Sequence, residues 1–114
     1  MNIDTLKASG IDYEDGLERF SGNSALYEKY LDKLLTNRTY EETREAACKG
    51  DIQLAFESAH KLKAFIGNLS INHFYEEIRA LTEEFRAGVY RDYGPDFEKL
   101  DQEYGKILQA IRGR

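Results

Sequence analysis

The chain has no tryptophan, one cysteine, one proline and one methionine among its 114 residues. The single thiol, Cys48, has no partner for an internal disulfide, which fits a reducing compartment. One proline and scattered glycines exclude long Pro- or Gly-rich linkers, and neither an internal repeat nor a low-complexity tract appears. No apolar run approaches the ~20 residues that a membrane-spanning helix needs. The opening "MNIDTLKASGIDYEDG" lacks a basic start followed by an apolar block, so no secretory signal is read there. A cytoplasmic location is expected. Cations are also scarce: 16 Lys and Arg stand against 21 Asp and Glu, for a net charge of −5. Nucleic-acid binding draws on clustered cations, so neither nucleic acid nor membrane is expected as a partner.

What the sequence does have is helical period. Leu26, Tyr27, Tyr30, Leu31, Leu34 and Leu35 form one broad apolar stripe over Asn23–Leu35, with Asn23 or Ser24 as its cap. Thr39-Tyr40-Glu41-Glu42 has the form of a capping box and opens a helix to about Lys49. Gly50-Asp51 supplies a stop and a new cap, and the helix that follows runs to about Asn68. Phe74, Ile78, Leu81 and Phe85 mark a helix over about Asn72–Ala87, with Gly88 as its stop. Pro95 opens the last helix, whose buried stripe is Phe97, Leu100, Tyr104, Ile107 and Ile111. A short helix over about Asp12–Phe20 precedes these, and no segment alternates like a strand.

The fold class is therefore all-α. Short connections between amphipathic helices predict an up-and-down antiparallel four-helix bundle with additional N-terminal helices. The expected domain spans residues 1–114, with 1–10 as a flexible or short helical N-terminal segment. The length suits a stand-alone chain, and a monomer is expected.

The stretch "AHKLKAFIGNLS", Ala59 to Ser70, holds the candidate site. Ala55, Ala59, Leu62, Ile66 and Leu69 share one helical face and, with Ile52, make a core stripe. His60 lies roughly 135° from its centre, on the solvent side. Its neighbours there are Gln53, Phe56, Glu57, Lys63, Ala64 and Gly67. Phe56 offers an apolar contact one turn earlier, and Lys63 brings positive charge. Ala64 and Gly67 leave the imidazole uncovered, or serve close helix packing.

Other chemistries fit less well. Glu57-Ser58-Ala59-His60 is a Glu-x-x-His pair, but di-iron bundles need two such pairs plus two more glutamates, all facing inward. No metal site is expected. Ser58 and His60 are two apart on a helix and do not face each other, so no hydrolytic triad is read. Neither a Walker loop nor a kinase signature occurs.

The stretch resembles the signature of the histidine-containing phosphotransfer (HPt) domain, His-x-Leu-Lys-Gly followed by small residues. His60, Leu62, Lys63 and Gly67 match. "GIDYEDGLERFSGNSALYEKYLDKLL" is similar to the family's lead-in, and "AACKGDIQLAFESAHKLK" has its Gly-Asp turn. The likeness covers about Ile11 to Ile111. Ala64 stands where the family has glycine, Phe65 where a small residue is usual, and Ser70 at a position that is often glycine.

The resemblance implies a phosphorelay carrier of two-component signal transduction. His60 would accept a phosphoryl group from a receiver-domain aspartyl phosphate and pass it to another receiver aspartate, with Lys63 stabilising the charge. Gln53, Phe56, Glu57, Lys61, Ala64 and Gly67 would meet the partner. The partners implied are receiver domains of hybrid histidine kinases and response regulators. No intrinsic cofactor is implied, since the receiver supplies Mg²⁺, and neither autokinase nor ATPase activity is expected. The alternative is a non-catalytic adaptor that binds a receiver or kinase through the same face.

Overall fold

The computed structural model describes residues 2–113; the expected domain's end residues, Met1 and Arg114, lie outside the described residues. Seven helices occur among the described residues: α1 (Ile3–Ala8), α2 (Tyr13–Arg19), α3 (Ser24–Leu34), α4 (Thr39–Lys49), α5 (Ile52–Asn68), α6 (Asn72–Arg86) and α7 (Gly94–Arg112). No strand occurs among them. The all-α expectation holds, and the N-terminal segment takes its helical form as α1, with Leu6 fully buried.

The ends of α4 and α5 follow from local chemistry. Gly50 closes α4 at φ +84°, a left-handed conformation that glycine adopts without a Cβ penalty. Asp51 then caps α5 by accepting the Leu54 N–H at 3.1 Å. The connection is so short that α5 folds back along α4. Three residues, Leu69–Ile71, likewise return the chain as α6 along the other side of α5. The helix that carries His60 is thus packed on two neighbours, with a third side free.

Two local expectations are corrected. Thr39 does not cap α4, because it lies inside the helix. Its own N–H is taken by Asn37 Oδ1 at 2.9 Å, and its carbonyl accepts the Thr43 hydroxyl at 2.8 Å. The helix starts one residue earlier than a Thr39 cap requires, so the Glu42 N–H donates to the Arg38 carbonyl at 3.0 Å and not to the Thr39 hydroxyl. Leu26 is 39% exposed rather than in the core, because the buried face of α3 is set by Tyr27, Leu31 and Leu34.

Elsewhere the apolar period reads out as expected. Ala55, Ala59, Leu62 and Ile66 are fully buried, and Ile52 is half-buried at the edge. Phe74, Ile78, Leu81 and Phe85 of α6 and Phe97, Leu100, Tyr104, Ile107 and Ile111 of α7 are all buried. Rings join α4, α6 and α7: Tyr40 stacks on Tyr104 with centroids 4.4 Å apart, and Phe74 stacks on Tyr104 at 5.3 Å. Buried hydroxyls are returned to the helix, with Ser58 donating to Leu54 O at 2.8 Å and Thr82 to Ile78 O at 2.6 Å.

The N-terminal helices seat on the α5–α6 connection. The Asp12 N–H donates to Ser70 O at 2.9 Å, and the Ser70 hydroxyl donates to Asp15 Oδ2 at 2.6 Å. The Tyr27 hydroxyl donates to Leu69 O at 2.8 Å. These three bonds tie α2 and α3 to the C-terminal end of the His60 helix.

Candidate functional site

His60 sits near the middle of α5 and is exposed. Its flanking core residues Ala59 and Leu62 are fully buried, so the backbone beneath the imidazole is held by packing. The Phe56 ring, one turn earlier, stacks on the imidazole with centroids 6.0 Å apart and planes 30° apart. Phe56 is itself covered on α6's side by the Arg86 guanidinium, 4.9 Å from its centroid. A cation, an aromatic ring and an imidazole therefore lie in sequence across the α5–α6 surface.

The expected site residues all lie on α5, spread from Gln53 to Gly67 over about four turns. Gln53, Glu57, Lys61 and Ala64 are exposed, and Phe56, Lys63 and Gly67 are half-buried. Gln53 Nε2 donates to Glu57 Oε1 at 3.1 Å, so these two hold each other along the helix. Lys63, Ala64 and Gly67 line a groove of about 300 Å³ together with Arg19, Asn68, Asn72 and Tyr75. Arg19 is held there by Asp15 at 2.9 Å.

Gly67 has a different neighbour from the one its smallness first suggests. A Cβ at Gly67 would stand 3.0 Å from the Tyr75 ring of α6. The absent side chain admits that ring against α5, so this part of the face is already occupied from within the chain. Ala64 remains exposed one turn from the histidine. Phe65 packs at the core edge, as its helical angle requires, and lines a second, more apolar groove of about 390 Å³ with Phe20, Leu26, Tyr30 and Leu69.

Arg86, Tyr75 and Arg19 are site neighbours that helical periodicity on α5 does not reveal. Each arrives from another helix. Arg86 carries one local signal, a cation in the last turn of α6, but nothing in the sequence places it over Phe56. Among the described residues, no group of three potential metal ligands includes His60; the one such group is His73, Glu77 and Glu103, away from this face.

Chemically, the arrangement is an exposed imidazole on a packed helix, stacked on Phe56 and with exposed Ala64 one turn away. It can accept or donate a group carried by a partner. It lacks the enclosing walls that would hold a small substrate unaided. Compared with family models, with curated proteins and with solved structures, the chain has no match.

Proposed function

We propose that this chain is a phosphorelay carrier of the HPt type, in which His60 takes a phosphoryl group from one receiver domain and delivers it to another. The observation that carries the reading is the exposed imidazole of His60, set on the packed helix α5 beside Lys63 and Ala64 in a sequence resembling the HPt signature. The proposed frame is an up-and-down antiparallel four-helix bundle of α4 to α7, with α3 alongside and α1 and α2 over one end. The return of α5 along α4 and of α6 along α5 supports it.

In the forward step, neutral His60 attacks the phosphorus of an aspartyl phosphate through Nε2. A nitrogen–phosphorus bond forms, the bond from phosphorus to the aspartate oxygen breaks, and that oxygen leaves with the electron pair as carboxylate. Histidine suits the task because its neutral, nucleophilic form is available near physiological pH. Phosphoryl transfer asks mainly for alignment and charge neutralisation. Lys63 lies about one turn after His60 on α5 and would supply positive charge, and Arg86, over the Phe56 ring, would add to it. Phe56 and Ala64 would take the partner's apolar contact, with Gln53, Glu57 and Lys61 at its rim. Mg²⁺ belongs to the receiver in this reading.

The test is transfer from phosphorylated receiver domains. The expected product is an acid-labile, base-stable phosphate on the chain, absent from His60→Gln while its helical circular dichroism is unchanged. Full labelling of His60→Gln would sink the assignment. Receiver binding that survives His60→Ala, with no label from any receiver, would establish the adaptor reading instead.

A further inference from the structure

We propose that His73 and Glu77 of α6 and Glu103 of α7 form a binding site for one divalent transition-metal cation of the Zn²⁺ class. The site is separate from the His60 face and stands whether or not the phosphorelay reading does.

His73 and Glu77 are four apart on α6, so both side chains project from the same face. Glu103 reaches them from α7. One ligand atom from each lies within 4.8 Å of the other two. An imidazole nitrogen with two carboxylate oxygens is a donor set that suits borderline divalent ions.

The second observation is what surrounds the carboxylates. Glu77 Oε1 and Glu103 Oε2 are both shut off from solvent, and neither receives a hydrogen bond. Buried anionic oxygens without donors are costly, and two in one place are costlier. The groups nearby answer only part of that charge. His73 Nε2 stands 3.3 Å from Glu77 Oε1, outside hydrogen-bond geometry, and Lys99 Nζ stands 3.6 Å from Glu77 Oε2. A metal ion between the two carboxylates would resolve the same conflict.

The geometry allows it. Zn²⁺ bonds of ~2.0–2.2 Å to nitrogen and oxygen place neighbouring tetrahedral ligand atoms ~3.3 Å apart. His73 is 74% exposed, so its ring is free to rotate inward. A cavity of about 260 Å³ lined by His73, Glu103, Lys106, Phe74 and the Ser9–Gly10 turn adjoins the cluster. It offers room for water to complete the coordination. A bound ion would clamp α6 to α7 at the end opposite Arg86.

The experiment is calorimetric titration of the chelator-treated full chain with Zn²⁺. Parallel titrations use Glu103→Gln, His73→Ala and a Cys48→Ser/His60→Gln background, which removes the other exposed thiol and imidazole. Binding is expected to saturate at one ion per chain, to persist in that background, and to raise the melting temperature. Glu103→Gln and His73→Ala should each weaken it by about tenfold or more. Glu103→Gln is isosteric and removes charge repulsion, so its fold, checked by circular dichroism, is retained. Absence of saturable binding, or binding that Glu103→Gln leaves unchanged, would overturn the proposal.

Discussion

Gly16→Ala is the substitution for which local preference and packing disagree most sharply. Gly16 lies inside α2, where alanine favours the helix by ~1 kcal/mol over glycine. Packing opposes this. A Cβ at Gly16 would overlap the hydroxyl end of the Tyr27 ring and stand 2.7 Å from its Cε1. Tyr27 has nowhere to go: it is fully buried, and its ring packs on Tyr13 and Phe20 with centroids 5.4 and 5.3 Å away. Its hydroxyl donates to Leu69 O at the end of α5. Displacing the phenol leaves a buried hydrogen bond unmade, at ~1–3 kcal/mol. Forcing a methyl into the packed contact adds ~1–3 kcal/mol. After the gain in helix preference, the net loss is ~1–5 kcal/mol, centred near ~3 kcal/mol.

Urea unfolding followed by circular dichroism measures it. The midpoint should fall by about 1–2 M with the slope unchanged. Gly105→Ala is the matched control. It too lies inside a helix, α7, and nothing stands within 4 Å of its added Cβ. It should gain ~0.5–1 kcal/mol. If Gly16→Ala proved as stable as the parent chain, the close seating of Tyr27 against α2 would be refuted.

Tyr40→Phe removes a 2.6 Å hydrogen bond from a buried phenol of α4 to Asp101 Oδ1 of α7, and should cost ~1.5–3 kcal/mol in urea unfolding with helical content unchanged. Asp15 gives a pH signature: the Ser70 hydroxyl first, then Arg19, hold its carboxyl below the ordinary value of 3.8. Its contribution is therefore present above that value and lost as pH falls through the lower folded value. Asp15→Asn should melt below the parent chain at about pH 6, with the gap narrowing as pH falls below 3.8. For phosphotransfer, Lys63→Ala should slow labelling by about fivefold, the scale of an exposed charge contact of ~1 kcal/mol. Stopped reactions with a phosphorylated receiver would show it, and an unchanged rate would remove Lys63 from the site.

Much of the helical layout was legible because its signals are local. Gly50 and Asp51 act through their own backbone and a neighbour three residues away, so the α4–α5 boundary is readable from two letters. The solvent side of His60 follows from helical rotation once Ala55, Ala59, Leu62 and Ile66 define the buried side. Thr39 misled because the helix starts one residue earlier, with Arg38 at the cap position, and a one-residue shift of a helix start has no period to detect. Leu26 misled because a stripe wider than the contact leaves one edge in solvent.

His73 and Glu77 stand four apart on α6, but Glu103 is 26 positions beyond Glu77 and joins them only through the docking of α7 on α6. The same holds for Arg86 over Phe56, and for Tyr75 in the space Gly67 leaves. Composition, period and capping residues by themselves determined an all-helical chain and the exposed side of α5, since those depend on contacts within a turn or two. Tertiary structure alone decided which cation covers Phe56, which ring fills the gap at Gly67, and where the carboxylates of α6 and α7 confront one another. Those outcomes depend on how helices distant in sequence dock, a rotation and offset that no single helix encodes.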